Sequence, residues 1–381
     1  MKMKTSRIIA TISASFFIGS TLHAQAWKAK AISDMKKGDF AKVEQTISKL
    51  SQEEQNKHAW LIDSLQAMMS RIRDDFRLSR EEGKKLLLEK VPGATDKQIE
   101  AWKQKKYLET RMIDGEERWF RKTISNFALL NKDVYPAEIV QGKKKEYAKV
   151  HPMCEHILTQ KLEENNTCDW KKVNATFYIE VPADAVPAGE TIKAWLPYPF
   201  DNGRQRNFQL LSSSSQATHS SGSLHHTVYM EQKAVKGQPT RFEMKFSYEV
   251  GAQVFHQADI LNNLKPYDKQ SNLYKKFTAQ ELPHMLVNKQ MKTLAQKIVG
   301  AETNPVLQAS LIYDWISANY PWAGAIDYST IPCIPQYVLD INHGDCGQVT
   351  LLYISMLRSL GIPARWESGW VFDESGWTGY H

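Results

Sequence analysis

The chain has 381 residues and a formal charge of +7, with 42% apolar and 24% charged residues. This is an ordinary globular balance, spread over enough length for two or three domains. Three basic residues lie in the first seven positions, and without them the charge falls to +4. Over so long a chain that excludes a nucleic-acid footprint and says little about other partners.

Lys2, Lys4 and Arg7 precede the apolar run "IIATISASFFIGS", and "AQA" closes the segment with small residues at Ala24 and Ala26. Residues 1–26 therefore read as a secretory signal peptide cleaved near Ala26, with export to a periplasmic or extracellular space. The run is short for a membrane anchor, no cysteine follows it for lipid attachment, and no later run is long enough to span a bilayer.

Residues 27–150 read as a helical domain. "GDFAKVEQTISKL" places Phe40, Val43, Ile47 and Leu50 at helical spacing behind a cap at Asp39. "SREEGKKLLLEKV" and "TDKQIEAWKQKKYLE" open with Ser79/Glu82 and Thr95/Gln98 at capping-box spacing, and "LETRMIDGEERWF" is a hairpin turning at Asp114-Gly115. Helix, turn, helix and hairpin is the order of a winged DNA-binding unit. Export and the weak charge favour instead a small domain packed on its neighbour.

Residues 151–265 change to a period of two and read as a β-sandwich-like domain. "TRFEMKFSYEV" alternates with Phe242, Met244, Phe246, Tyr248 and Val250 on one face. "NATFYIEVP" and "TIKAWLPYPF" are companion strands, and "LLSSSSQATHSSGSLHH" is a polar loop whose His219, His225 and His226 lack a carboxylate framework for a metal. Of the four cysteines, Cys154 and Cys168 enclose a short polar segment at the domain boundary, where a disulfide would contribute about 3 kcal/mol. With no CxxC spacing, no histidine at ligand intervals and no legible calcium site, neither a metal nor another cofactor is expected.

The helical period returns near Tyr274. "NKQMKTLAQKIVG" ends at Gly300, and "NPVLQASLIYDWISANY" has Asn304 as cap, Pro305 at its first position and a stripe of Leu311, Trp315 and Ile316. A Pro- and aromatic-rich loop leads to "GDCGQVTLLYISMLRSLGIPARWESGW". Asp345 or its neighbour caps a helix from Cys346 to about Leu360, with Val349, Leu352, Met356 and Leu360 on its buried stripe. Gly361 suits a left-handed C-terminal position and Pro363 prevents continuation. Cys346 thus falls in a first turn of unpaired N–H groups, whose field favours a thiolate. Gly344 and Gly347 leave room for a substrate, which fits a nucleophile better than a packing residue. A strand carrying "WTGYH" after the turn at "DESG" would bring His381 across a cleft. A Cys333–Cys346 disulfide is the competing structural reading of the same cysteine.

These residues, with "LIYDWISANY" before them and a histidine on the following strand, resemble the core of the transglutaminase-like superfamily over about Leu273 to His381. The resemblance implies a papain-like core spanning 270–381 in an α+β multidomain chain. Cys346 would be the nucleophile, His381 the general base and then acid, the Cys346 N–H one oxyanion donor, and Trp322 of the aromatic loop a candidate for the second. It implies a protein or peptide substrate attacked at a peptide or carboxamide carbonyl, and the motif does not choose between hydrolysis and transfer to an amine. The triad's acid in such cores lies on a strand after the histidine, and the sequence stops at His381. The core is therefore expected to be truncated at its C-terminus and the chain to be part of a longer protein. A transglutaminase-like scaffold that binds peptide or glycan without chemistry is the alternative. Oligomeric state is not legible.

Overall fold

The computed structural model describes residues 26–134, 152–221, 226–372 and 378–380, so the leader read over 1–26 lies almost wholly outside the described residues. The chain divides into two compact units, one formed by Met1–Val140 with Pro266–His381 and the other by Gln141–Lys265.

The first unit begins with a helix over residues 26–37 and continues through helices Phe40–Ser48, Gln52–Lys57 and Ala59–Asp75. Phe40, Val43 and Ile47 are buried as their spacing requires, although Asp39 makes no capping bond and pairs with Lys42 instead. Next come strand Leu78–Ser79, helices Arg80–Lys90 and Asp96–Gln104, and strands Thr110–Ile113 and Glu116–Trp119. Both predicted capping boxes are present, with Ser79 and Thr95 accepting the N–H of Glu82 and Gln98. The three strands form an antiparallel sheet with Glu116–Trp119 in the middle.

The helix, helix and hairpin order read from the sequence is present, but the tip of the hairpin is occupied. The Asp114 N–H donates to Gly38 O at 2.9 Å, and Asp114 Oδ1 accepts the Ala41 N–H at 2.8 Å. The backbones approach so closely that a Cβ on Gly38 would lie 2.0 Å from Met112 O. The hairpin serves as packing between the opening helices.

Helices Lys289–Val299, Pro305–Asn319 and Ile334–Ile341 surround the helix Cys346–Ser359. Asn304 accepts the N–H groups of Val306 and Leu307, as its position before Pro305 predicts. The buried face of that helix departs from expectation: Ile312 and Ile316 are enclosed while Leu311 is exposed. One apolar cluster joins Phe40, Ile62, Met69 and Phe120 to Ile312, Val338, Leu352 and Met356. The segments read from sequence as 27–150 and 270–381 therefore share a core.

The second unit holds two three-stranded antiparallel sheets. Thr240–Gln253 runs between Thr167–Val181 and Gln205–Ser213, while His226–Lys233 runs between Thr191–Pro197 and Thr218–Ser221. Phe242, Met244, Phe246 and Tyr248 are buried from the first sheet and Ala194, Leu196, Val228 and Met230 from the second. The segment "LLSSSSQATHSSGSLHH" is not a loop throughout, because its ends enter both sheets. Serine and threonine take extended backbone readily once a neighbouring strand supplies the ladder. His219 meets the Tyr198 ring edge-on at 4.9 Å and His226 stacks on Phe200 at 4.2 Å, whereas His225 lies outside the described residues. Cys154, on helix Pro152–Leu158, is exposed, and Cys168 is buried with its sulfur 3.9 Å from Ile157 O. Both are free thiols, so the possible bridge between them is not formed in this structure.

Among the described residues no helix is long and apolar enough to cross a membrane, and no group of three His, Cys, Asp or Glu side chains converges to hold a metal ion.

Candidate active site

Cys346 is the first residue of the helix Cys346–Ser359 and its thiol is free and exposed. The helix starts where Asp345, in extended conformation, turns its carboxylate back on the first turn. Asp345 Oδ1 accepts the Gln348 N–H at 3.0 Å, and Gln348 Oε1 accepts the Asp345 N–H at 3.2 Å. This capping box satisfies two of the groups that a helix start leaves unpaired. Gly361 ends the helix with φ +79°, the left-handed conformation predicted for it. From Leu352 to Arg358 almost the whole circumference is buried, more than one stripe. The cysteine end is the accessible end.

Two walls frame that end. Pro321, Trp322 and Ala323 run parallel to the residue two places before the cysteine: the Gly344 N–H donates to Pro321 O at 3.3 Å, and the Ala323 N–H donates to Gly344 O at 3.1 Å. Trp322, the predicted oxyanion candidate, thus lies beside the segment that delivers Cys346 and is 58% exposed. Further along the same loop, the short 3-10 turn Tyr328–Thr330 places the Tyr328 hydroxyl on Asp345 Oδ1, to which it donates. Burial, then the bond to Asp345, raise the Tyr328 pKa, so the phenol remains a donor at every working pH. A Cβ on Gly347 would lie 2.3 Å from that hydroxyl and 3.1 Å from the Trp366 ring. Gly347 is glycine because Tyr328 and Trp366 close on it.

His343, three residues before the cysteine, was not singled out from sequence. It is buried, its Nδ1 has no partner, and burial lowers its pKa to about 4, so the ring is neutral near pH 7. The unpaired Gln348 Nε2 is likewise buried in this region. Cys333 immediately precedes helix Ile334–Ile341 without a capping bond, its sulfur lies 3.9 Å from Leu286 O, and it is a free thiol, so no disulfide occupies Cys346. Strands Trp370–Phe372 and Thr378–Tyr380 pair antiparallel, Tyr380 opposite Trp370. His381, together with Asp373 and Glu374, lies outside the described residues.

Asn126, a helix residue that bonds Gly324 of this loop on its far side, was also missed. Asn126 sits in the apolar helix "TISNFALL", and a lone amide among apolar neighbours was the available signal that it is buried against a polar partner.

Known proteins add a family and some partial likenesses. The model of the transglutaminase-like superfamily matches residues 292–381. An uncharacterised protein of Haemophilus influenzae is 28% identical over 109 residues, a stretch that is 27% of this chain and 28% of that protein. The chain thus matches well under a third of that relative's length. A crystal structure of a "putative cysteine protease" from Cytophaga hutchinsonii aligns with TM-score 0.41 and 18% identity over 56% of this chain and 72% of its own. A "putative protease" from Parabacteroides distasonis aligns with TM-score 0.21 and 15% identity over 45% of this chain and 32% of its own. The family match contains the cysteine helix, its capping carboxylate and both walls of its exposed end, and residues 292–381 are a domain of the transglutaminase-like superfamily.

Proposed function

We propose that this chain belongs to an exported thiol enzyme that attacks a peptide or carboxamide carbonyl through Cys346. The observation that carries the reading is an exposed, unbridged thiol at the capped start of a helix, with glycines on both sides and aromatic walls beyond them. A cysteine kept for packing would lie in the enclosed stretch from Leu352 to Arg358.

In this reading His381 takes the thiol proton. The thiolate attacks the carbonyl carbon, the C–S bond forms, and the π electrons move to oxygen. That oxygen is held by the Cys346 N–H and a donor of the Trp322 loop. The oxygen's electron pair re-forms the carbonyl, the C–N bond breaks, and the amine leaves with the proton from the imidazolium. Water or a second amine then attacks the thioester, which gives peptidase or amidase activity in one case and acyl transfer in the other. The two sheets of Gln141–Lys265 form a sandwich-like module in this enzyme, and residues 1–26 direct it out of the cytoplasm.

The test compares two exposed thiols in one molecule. Iodoacetamide at limiting concentration, followed by peptide mass mapping, is expected to label Cys346 at least tenfold faster than Cys154. Cys346→Ala is expected to abolish cleavage of a quenched peptide library. Equal labelling of the two cysteines, or undiminished cleavage by the variant, overturns the reading.

A further inference from the structure

We propose that Asn126 and Asp75, from the N-terminal helices, are positioning residues that set the Pro321–Ile331 loop against the cysteine helix. This rests on reading that loop as part of the oxyanion site. It makes the helical segment a component of the active unit, in place of an independent appendage.

The loop is fastened on two sides. On its inner side Gly344 holds Pro321 and Ala323, and Asp345 holds Tyr328. On its outer side the Asn126 amide pairs reciprocally with the backbone of one loop residue, Gly324. Nδ2 donates to Gly324 O at 2.8 Å, and the Gly324 N–H donates to Oδ1 at 2.8 Å. Asn126 is 3% exposed, and a Cβ on Gly324 would lie 2.8 Å from the Lys122 side chain and 3.3 Å from Asn126 Oδ1, so the loop at Gly324 is packed against these side chains. Three residues on, the Asp327 N–H donates to Asp75 Oδ2 at 2.6 Å. Asp75 is itself 2% exposed and is held by Arg121, whose Nε donates to Oδ1 at 3.1 Å and whose backbone N–H donates to Asp75 O at 2.7 Å. Arg71 Nη1 adds a bond to Ser329 Oγ at 2.7 Å.

Trp322 lies opposite Gly344 and Tyr328 bonds Asp345, and the outer fasteners act on Gly324, two residues from the first, and Asp327, adjacent to the second. A loop held on one side only retains freedom to swing. Fixed on both, its N–H groups are held in place before charge develops, which is where such donors lower a barrier. Asn126 and Asp75 touch no reacting atom in this scheme and act through the loop.

The consequence is a split between two reactions of the same sulfur. Acylation by p-nitrophenyl acetate forms a C–S bond and expels p-nitrophenolate through an oxyanion, so it needs the loop. Alkylation by iodoacetamide displaces iodide at a saturated carbon and builds no oxyanion. In the full chain, Asn126→Asp keeps the shape and loses one donor, and Asp75→Asn keeps the shape and loses one acceptor. Each is expected to slow Cys346-dependent acylation about tenfold or more and to leave alkylation within about twofold. Ser125→Ala, an exposed neighbour on the same helix, is expected to change neither. Equal loss of both reactions, or unfolding of both variants in a thermal melt, assigns these residues a purely structural role and overturns the proposal. Unchanged acylation overturns it too. A wild-type chain whose Cys346 alkylates no faster than Cys154 removes the functional reading beneath it, a result distinguishable because it needs no variant.

Discussion

The Tyr328 hydroxyl donates to the same Asp345 oxygen that accepts the Gln348 N–H, so one carboxylate oxygen ties the aromatic loop to the first turn of the cysteine helix. Removing the two partners should have unequal effects. Tyr328→Phe deletes one charge-assisted bond, at about 1.5 kcal/mol. Asp345→Ala deletes that bond and the cap and leaves a half-buried phenol without its acceptor, at about 3 kcal/mol. Urea unfolding of the two variants measures the difference, and a larger loss in Tyr328→Phe would contradict the geometry.

Gly347 should be the least replaceable glycine near the site. Its added Cβ would stand 2.3 Å from the Tyr328 oxygen and 3.1 Å from Trp366, inside a wall that the Asp345 bond keeps in place. Gly347→Ala is expected to cost about 2 kcal/mol through overpacking. Tyr328→Phe removes the atom in closest conflict, so in the double variant the two losses should be less than additive by about 1 kcal/mol. Additive losses in urea unfolding would mean that the clash is absorbed elsewhere.

What the sequence made legible was the local chemistry of the site. The Asp345 cap, the helix from Cys346 and the left-handed Gly361 each follow from residues close by in sequence; the room for a substrate expected at Gly347 is instead filled by Tyr328 and Trp366, which the local pattern does not reveal. The brace was not legible, because Asn126 meets Gly324 and Asp75 meets Asp327 across separations of 198 and 252 residues. No spacing rule connects such pairs; only the completed fold does. The face of helix Pro305–Asn319 was misplaced for a different reason. "LIYDWI" carries apolar side chains on several sides, so its period leaves the buried direction open, and the shared core selects Ile312. The serine-rich stretch joined two sheets because its ladder partners, again distant in sequence, were invisible to a reading of local composition.

A second contact between N-terminal and C-terminal segments should impose a pH dependence on stability. The Tyr337 hydroxyl donates to Glu109 Oε1, with Asp75, Lys106 and Arg111 as the other charged groups acting on that carboxyl. Glu109 is half-buried overall with its carboxyl end enclosed, and burial, only partly offset by the Tyr337 bond, pushes its pKa up to about 7. The unfolded value is about 4.3. Between those limits the folded state retains a proton that the unfolded state has released, so stability falls as pH rises from about 4.3 to about 7 and is level above. Glu109→Gln removes the titration. It is expected to raise the melting temperature by about 3 °C at pH 8 and to leave it unchanged near pH 4. An equal shift at both values would mean that Glu109 does not titrate across this window.

The turn that follows the cysteine helix depends on a buried guanidinium. Arg358 is 4% exposed and donates through Nε to Ala364 O at 2.8 Å and through Nη1 to Ala279 O and Glu281 Oε1, both at 2.7 Å. The Ala364 N–H in turn donates to Phe277 O at 3.0 Å, so residues 277–281 and 362–364 are joined around one side chain. Arg358→Met fills most of the volume but leaves the carbonyls of Ala279 and Ala364 without this donor, at about 3 kcal/mol. Arg358→Lys has no planar fork with which to span both, and should recover less than half of that loss. Because the affected bonds lie at the base of the segment leading to Trp370, the damage should show locally before it shows globally. Limited proteolysis is expected to cut Arg358→Met between residues 277 and 283 or between 362 and 370 at temperatures where its circular dichroism is still native. Resistance equal to wild type at those sites would place the weight of this turn on its apolar neighbours instead.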